Sequence, residues 1–246
     1  MQINYAKHMS TPLKNVIKRF IYPSPLPDTI EVLTIIKEHF VSGYPFCPFW
    51  QGDFLFLLSR RNQVKKALEI GFATGSTALY ILCGMGKGGE MISVDYKPED
   101  FGYLGKKLVD ESPWRENHKL IEGNTNIVLP ELYKTGFKFD LIFMDGWKTF
   151  DHLMVDVYYC IRLLKTGGHL AFDDAKMNAV DKVISLLLKY YEFKEVDYRD
   201  YGEDWKLRLW LIVSNSSFKR PYRAFKKIKS EQELPVTRQF DWWRPF

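Results

Sequence analysis

The amino-acid sequence predicts an α/β fold with a doubly wound, mostly parallel sheet of seven strands, a helical addition before it and an antiparallel hairpin at its end. Two observations support this prediction. Short apolar runs alternate with helical patterns from residue 67 onward, and this alternation is typical of a parallel sheet with helices on both faces. The chain of 246 residues, 46% of them hydrophobic, is also long enough to bury one such core.

The segment before the sheet is predicted to be helical. An amphipathic helix is expected at residues 28–41, between the turn-rich sequences PSPLP and SGYPFCP. We interpret residues 1–50 as an N-terminal helical extension and residues 51–216 as the main domain. A short apolar helix at residues 51–61 then leads into the first strand.

Five strands and the helices between them make up the predicted parallel part. The strands are expected at residues 67–71, 91–95, 119–122, 141–145 and 169–173. Helical patterns occupy residues 76–83, 103–110, 126–133 and 150–164. After a further helix at residues 178–191, two strands at 193–198 and 206–213 are predicted to form a hairpin around Gly202.

Residues 217–246 are expected to form a basic and aromatic C-terminal tail. Its first part, residues 218–229, carries six Lys or Arg residues and no acid. This basic segment is either a solvated surface or a binding surface for phosphate or a membrane. The aromatic part, residues 240–246, is expected to line a substrate pocket, to form a dimer interface or to cover the sheet edge.

Charge and cysteine content exclude several classes of protein. The net charge of +5 is too weak for a dedicated nucleic-acid binder. The three cysteines are far apart and odd in number, which excludes a disulfide framework and a zinc-ligand pattern. No apolar run reaches the roughly 18 residues that span a bilayer, and the N-terminus lacks a signal-peptide core. We therefore expect a cytoplasmic protein.

A glycine-rich loop follows the first predicted strand, where doubly wound sheets bind their ligands. In EIGFATGSTALY, Gly71 and Gly75 permit a tight turn that approaches a ligand closely. The spacing G-x-x-x-G differs from the G-x-G-x-x-G of a nicotinamide dinucleotide site. Asp95 ends the second strand, 24 positions after Gly71. Its carboxylate is expected to bind both hydroxyls of a ribose, or alternatively to cap a helix.

Acidic residues also end the fourth and fifth predicted strands. A right-handed crossover brings Asp145, Asp173 and Asp174 to the same edge of the sheet. Their repulsion favours a hard divalent cation, and magnesium fits this all-oxygen set better than zinc. Lys148 lies three residues after Asp145. A lysine beside such an ion is expected to have a lowered pKa and to act as a base.

The glycine loop and Asp95 resemble the first two motifs of class I S-adenosylmethionine-dependent methyltransferases, and LIEGNTNIVLPEL resembles the third-strand region of that family. This resemblance implies a Rossmann-like domain with S-adenosylmethionine as cofactor, and Thr125 and Asn126 at the adenine edge. The cofactor-binding residues that it implies are Glu69, Gly71, Ala73, Gly75, Thr77, Asp95, Thr125, Asn126, Asp145 and Trp147.

The sequences FMDGWKTF and LLKTGGHLAFDDA, with QGDFLFLL upstream, resemble the metal-dependent O-methyltransferases of the catechol and caffeoyl-CoA type. The resemblance implies Mg²⁺ or Mn²⁺ held by Asp145, Asp173 and Asp174, catalysis by Lys148 and Asp145, and Trp147 beside the substrate. Asp174 replaces the asparagine of catechol-type enzymes and agrees with macrocin-type and novobiocin-type sugar O-methyltransferases. The acceptor is therefore expected to be a small molecule with a vicinal hydroxyl, either catechol-like or a sugar.

Other interpretations remain open at this point. Asp145 and Asp173 also fit strand-end caps, with Asp174 solvated and Lys148 on a helix surface. His152 is a second candidate base, or a helix residue whose ring packs. A nucleic-acid methyltransferase is disfavoured because residues 145–148 read Asp-Gly-Trp-Lys and not Asn/Asp-Pro-Pro-aromatic. The other alternative is an inactive interaction module, and a homodimer is a further expectation.

Overall fold

The computed structural model describes residues 21–215 and 217–230, together with Asn15 and Lys18. Within these residues, seven strands form one mixed sheet in the order β3-β2-β1-β4-β5-β7-β6. The strands are β1 (Lys66–Ile70), β2 (Glu90–Asp95), β3 (His118–Glu122), β4 (Phe139–Met144), β5 (Leu164–Phe172), β6 (Phe193–Glu195) and β7 (Arg223–Lys227). The predicted seven-stranded α/β fold is confirmed.

Eight α-helices are described around this sheet. They are α1 (Ile30–Glu38), α2 (Phe49–Arg61), α3 (Ser76–Met85), α4 (Leu104–Asp110), α5 (Thr125–Lys134), α6 (Phe150–Leu163), α7 (Asn178–Tyr190) and α8 (Trp205–Asn215). Strands β1 to β5 pair in parallel. Because the strand order reverses between β1 and β4, a crevice for a ligand opens beyond their carboxyl ends.

Side chains from both faces of the parallel strands are buried. Ala67 of β1 packs with Phe56 and Leu79 on the face covered by α2 and α3. The next residue, Leu68, packs with Val157 on the face covered by α6. Strands buried on both faces have continuous apolar sequences, which explains why their positions could be predicted.

The C-terminal part of the sheet differs from the prediction. Residues 206–213 lie in helix α8 and do not form a strand. The carboxylate of Asp204 accepts a hydrogen bond from Leu207 N at 2.7 Å, and this cap starts the helix. The antiparallel partner of β6 is instead β7, which lies within the basic segment. The domain boundary expected at residue 216 therefore leaves out a strand of the sheet.

Three of the five residues of β7 are buried despite its basic sequence. Ala224 and Phe225 are fully buried. Lys227 is also buried, and its Nζ donates hydrogen bonds to Ile161 O at 2.7 Å and Leu164 O at 3.0 Å. One lysine of the basic segment thus caps the C-terminal end of α6, where free carbonyl groups attract a cation.

The N-terminal extension packs on the main domain through a buried carboxylate. Asp53 of α2 accepts hydrogen bonds from the hydroxyl of Thr29 at 2.5 Å and from Leu26 N at 2.9 Å. A 3₁₀ turn at Pro27–Thr29 precedes α1, so the helix is shorter than the predicted 28–41. None of the described helices is long and apolar enough to cross a membrane. The aromatic residues 240–246 lie outside the described residues.

Candidate active site

The glycine loop after β1 is shaped by close backbone contacts. Gly71 has a φ angle of 88°, and a Cβ atom there would lie 2.5 Å from the carbonyl oxygen of Asp145. Gly75 has a φ angle of 69°, and its Cβ would lie 2.8 Å from the carbonyl oxygen of Gly105. Only glycine fits either position without strain. At Gly71, the absence of a side chain allows the end of β1 to contact the end of β4.

Gly71→Ala should lower the free energy of unfolding by about 1–3 kcal/mol or more, because the left-handed φ angle strains alanine and the new Cβ contacts backbone atoms. Urea denaturation measures this change. Gly102→Ala is the matched control, since Gly102 also has a left-handed φ angle of 57° but nothing lies within 4 Å of its Cβ position. Equal losses in the two variants would contradict a role for the close approach to Asp145.

Asp95 holds the glycine loop through its carboxylate. Its Oδ2 accepts hydrogen bonds from Phe72 N at 2.7 Å and from Ala73 N at 2.8 Å, and its Oδ1 accepts one from Lys97 N at 3.0 Å. The carboxylate therefore caps the turn after β2 and fixes the loop. A carboxylate accepts about four hydrogen bonds, which leaves capacity for a ligand.

Glu69 lies beneath the loop in a fully buried position. Its Oε2 lies 2.6 Å from the Ser93 hydroxyl, and Nε2 of His118 lies 2.8 Å from the same hydroxyl. Burial raises the pKa of Glu69 well above its usual value and lowers the pKa of His118 to about 4. Oε1 of Glu69 has no hydrogen-bond partner among the described residues.

The acids that end β4 and β5 converge beside this loop. Asp145, Asp173 and Asp174 each offer a carboxylate oxygen, and these oxygens lie within 4.8 Å of one another. Asp145 N donates to Ile70 O at 2.8 Å, and Asp173 N donates to Met144 O at 3.0 Å. The sheet register thus places the acids together, as the strand-end pattern predicts.

Burial makes the charges of these acids costly. Burial, together with the charge of Asp173, raises the pKa of Asp145 to about 7 against the opposing effect of Lys148. Burial and the charge of Asp174 also raise the pKa of Asp173. Asp174 has a left-handed φ angle of 50°, which is unusual for a non-glycine residue. Such strained positions occur often at functional sites.

Lys148 is the cation at this cluster. Its Nζ lies 2.9 Å from Asp145 Oδ1 and 3.7 Å from Asp174 Oδ2, and its side chain is only 15% exposed. It lies in the turn before α6 and points into the acid cluster, so it is not a solvated helix residue. One lysine leaves three neighbouring carboxylates incompletely neutralised.

Two residues that carry no sequence signal for a functional role also contact the site. The side chain of Gln51 is buried in α2, and it partly opposes the burial that raises the pKa of the neighbouring Asp173. The backbone N of Cys47 donates to Ser76 Oγ at 2.8 Å, and the neighbouring Thr77 partly opposes the burial that raises the pKa of the Cys47 thiol. Residues 47–51 therefore join the glycine-loop helix to the acid cluster.

The residues expected near the adenine, Thr125 and Asn126, lie at the start of α5. Burial raises the pKa of Asp156, and the neighbouring Thr125 partly opposes this effect. Asn126 Nδ2 lies 3.3 Å from Nε2 of His152. The ring of Trp147, which is 67% exposed, lies 6.5 Å from that of His152. His152 thus lies next to both Asn126 and Trp147, and the exposed ring of Trp147 is accessible to a ligand.

A family model described as O-methyltransferase matches residues 43–185, which include the glycine loop, the three acids and Lys148. The chain belongs to the O-methyltransferase family. The catechol O-methyltransferase of Mycobacterium tuberculosis is 27% identical over 124 residues, which cover 50% of this chain and 54% of that protein. Caffeoyl-CoA O-methyltransferase 1 of Eucalyptus globulus is 27% identical over 155 residues, covering 61% and 60%.

This O-methyltransferase family member spans only part of its curated relatives. The matched segments cover 66% of a putative O-methyltransferase from Mycobacterium sp. (strain JLS) and 44% of a catechol O-methyltransferase from Niastella koreensis.

Among the solved structures that are similar to this chain are two O-methyltransferases. The Bacillus cereus enzyme, in complex with SAH, aligns with a TM-score of 0.58 at 17% identity over 76% of this chain and 89% of that chain. TomG of Streptomyces achromogenes, involved in tomaymycin synthesis and in complex with SAM, aligns with a TM-score of 0.63 at 15% identity over 90% and 100%. At these low sequence identities the structural similarity shows only the fold. This fold is the one that the sequence predicts.

Proposed function

We propose that this protein is an S-adenosylmethionine-dependent, divalent-metal-dependent O-methyltransferase that acts on a vicinal hydroxyl of a small molecule, either catechol-like or a sugar. The observation that carries the proposal is the convergence of Lys148 with three carboxylates next to the glycine loop. Family membership supports methyl transfer to oxygen. Neither the nucleic-acid alternative nor the inactive module gains support from the relatives described above.

The glycine loop fits S-adenosylmethionine in its geometry. Gly71 and Gly75 keep the loop backbone free of side chains, and the buried Glu69 retains an unpaired oxygen beneath it. An unpaired buried oxygen is costly unless a donor arrives. The residues proposed to hold the cofactor are Glu69, Gly71, Ala73, Gly75, Thr77, Asp95, Thr125, Asn126, Asp145 and Trp147.

The acid cluster fits a hard divalent cation. Its donors are carboxylate oxygens from Asp145, Asp173 and Asp174, which are the ligands that Mg²⁺ and Mn²⁺ prefer. Three ligands from the protein leave positions for two neighbouring oxygens of a diol or catechol. We therefore propose these three residues as the metal ligands and a chelating diol as the acceptor class.

Different residues of the protein have different roles in the proposed reaction. When bound, S-adenosylmethionine supplies an electrophilic methyl group, and the divalent ion lowers the pKa of the acceptor hydroxyl. In its neutral amine form, Nζ of Lys148 would be the group that accepts the proton of that hydroxyl. Asp145 orients the amine through its 2.9 Å hydrogen bond, and the buried Gln51 adjoins Asp173. The low exposure of Lys148 limits access of competing water.

Methyl transfer to catechol in the presence of S-adenosylmethionine and magnesium, followed by mass spectrometry, tests the proposal. Phenol is the matched acceptor with a single hydroxyl, and a panel of sugars covers the other acceptor class. We expect transfer to a vicinal diol and much slower transfer to phenol. Equal rates for catechol and phenol would contradict chelation of the acceptor. Transfer to no member of the panel would contradict the proposed acceptor class.

Asp95→Ala should weaken binding of S-adenosylhomocysteine by about 1.5–3 kcal/mol, because charge-assisted hydrogen bonds to the ribose are lost. Calorimetry without added metal measures this change. Glu99→Ala is the control, since Glu99 is an exposed acid in the following turn. Asp95→Asn helps to separate the two roles, because an amide still accepts a hydrogen bond from the loop. Unchanged affinity in Asp95→Ala would remove the ribose role.

A further inference from the structure

A second cleft lies apart from the acid cluster, on the face of the sheet that α2 covers. It has a volume of about 910 Å³ and lies between the antiparallel strands β5, β7 and β6 on one side and the turn at Tyr198–Tyr201 with the start of α8 on the other. This volume is in the range of small-molecule sites. None of the acids proposed to bind metal lines it.

A row of basic side chains forms the floor of this cleft. His169 of β5 is the cross-strand partner of Lys226 of β7, and Lys226 is the partner of Lys194 of β6. Cross-strand partners project from the same face of a sheet, and like charges in direct opposition are destabilising. All three residues line the cleft. The fold therefore places two lysines against each other at the floor.

Neighbouring acids do not neutralise this row. In the part of the chain that the structure describes, neither Lys194 nor Lys226 has an ion-pair partner. Most acids that line the cleft are paired with arginines, in the pairs Glu195–Arg223, Glu203–Arg220 and Asp197–Arg199. Of the other two, Asp204 caps α8 and Asp200 lies in the turn above. The two lysines are thus available to pair with a negatively charged ligand.

Arg208 of α8 faces the cleft from the opposite side. Its Nη2 donates to Phe218 O at 2.6 Å, whereas Nη1 is buried and has no partner among the described residues. An unpaired buried donor costs free energy that an acceptor would recover. Trp205, which is 68% exposed, lies at the rim and offers a ring to a ligand.

We propose that this cleft binds a small molecule that carries a phosphate group, with Lys194 and Lys226 as its charged floor and Arg208 as a donor from α8. A phosphate carries more than one negative charge and several acceptor oxygens, so it relieves the repulsion between the lysines and pairs with the guanidinium group. Burial and Lys226 lower the pKa of His169 to about 4, so its neutral ring adds a hydrogen bond and no charge. The site does not rest on methyl transfer.

Calorimetric titration with inorganic pyrophosphate, in metal-free buffer of low ionic strength, tests this site. Lys194→Gln/Lys226→Gln should weaken binding by about tenfold or more, since two charge-assisted hydrogen bonds are lost. Lys106→Gln/Lys134→Gln is the matched control, because it removes the same charge at exposed positions elsewhere. Saturation with S-adenosylhomocysteine should leave the pyrophosphate affinity unchanged.

Thermal unfolding provides a second readout that does not need a known ligand. Without pyrophosphate, the Lys194→Gln/Lys226→Gln variant should unfold at or above the wild-type temperature, because a like-charge pair is removed. Pyrophosphate should raise the unfolding temperature of wild type and of the control, but not of this variant. Absence of saturable binding, equal loss in the control variant, or binding of an oligonucleotide in place of pyrophosphate would overturn the proposal.

Discussion

Asp145→Ala should abolish methyl transfer to a vicinal diol, with a loss of about a thousandfold or more, and EDTA should have the same effect on the unchanged protein. Asp145 lies at the centre of the site, because its carboxylate contacts Lys148 and belongs to the three-acid cluster. Loss of a metal ion that stabilises the developing oxyanion costs several kcal/mol. Each 1.36 kcal/mol is a factor of ten in rate.

The assay distinguishes loss of the metal from loss of the fold. Magnesium or manganese added in excess of EDTA should restore the wild-type rate and leave Asp145→Ala inactive. Binding of S-adenosylhomocysteine and the cooperative unfolding transition should persist in the variant. Asp151→Ala is the matched control, because Asp151 is an exposed acid in the first turn of α6. Full turnover in the presence of chelator would contradict the metal site.

Asp145→Asn provides a variant that keeps the shape of the side chain. Burial already opposes the charge of Asp145, as its raised pKa of about 7 indicates. A neutral amide removes the cost of burying that charge. We therefore expect this variant to be inactive and to remain folded, which separates the chemical role of the carboxylate from any structural role.

The parallel core could be predicted because its sequence signals are redundant. Strands such as β1 and β4 are buried on both faces, so their sequences are mostly apolar, apart from residues such as the buried Glu69, and they end at Gly71 and Asp145. The same strand-end rule predicts that Asp145, Asp173 and Asp174 lie together, because parallel strands end at one edge of the sheet. These predictions need only the order of the elements.

The C-terminal elements could not be predicted for two physical reasons. In α8, apolar residues at 207, 209, 211 and 213 satisfy a strand period, whereas burial of Trp210 and Leu211 shows the helical face. In β7, the lysines interrupt the apolar pattern that would predict a strand, although its residues Ala224 and Phe225 are buried. Carbonyl groups from α6 and β5 hold Lys227, and this tertiary contact has no local signal.

Some contacts within the site could not be predicted from the sequence either. Gln51 lies beside Asp173 although more than 120 positions of the chain separate them, and no local pattern marks a glutamine as functional. The ribose role of Asp95 stays a prediction, and the structure adds a contact that the sequence does not indicate, in which Asp95 holds the amides of Phe72 and Ala73. Such hydrogen bonds depend on how the elements pack, so the structure is needed to find them.

Lys148→Ala should slow methyl transfer by about 10²–10⁴, the usual contribution of a positioned base, while the metal remains bound. The Nζ atom lies 2.9 Å from Asp145 and 3.7 Å from Asp174, so it adjoins the proposed metal ligands without being one. Electron paramagnetic resonance of bound Mn²⁺ should show wild-type or tighter affinity in the variant, because a neighbouring positive charge is removed. The residual rate should rise with pH as hydroxide replaces the missing base.

Lys148→Arg separates a base from a structural counter-ion. Arginine keeps the positive charge beside Asp145 and Asp174, but with a pKa above about 12 it does not accept a proton at neutral pH. If Lys148 takes the proton of the acceptor hydroxyl, Lys148→Arg should be as slow as Lys148→Ala and should show the same dependence of rate on pH. If Lys148 only neutralises the two carboxylates, Lys148→Arg should recover most of the wild-type rate. That recovery, or a wild-type rate in Lys148→Ala, would contradict general-base catalysis at Nζ.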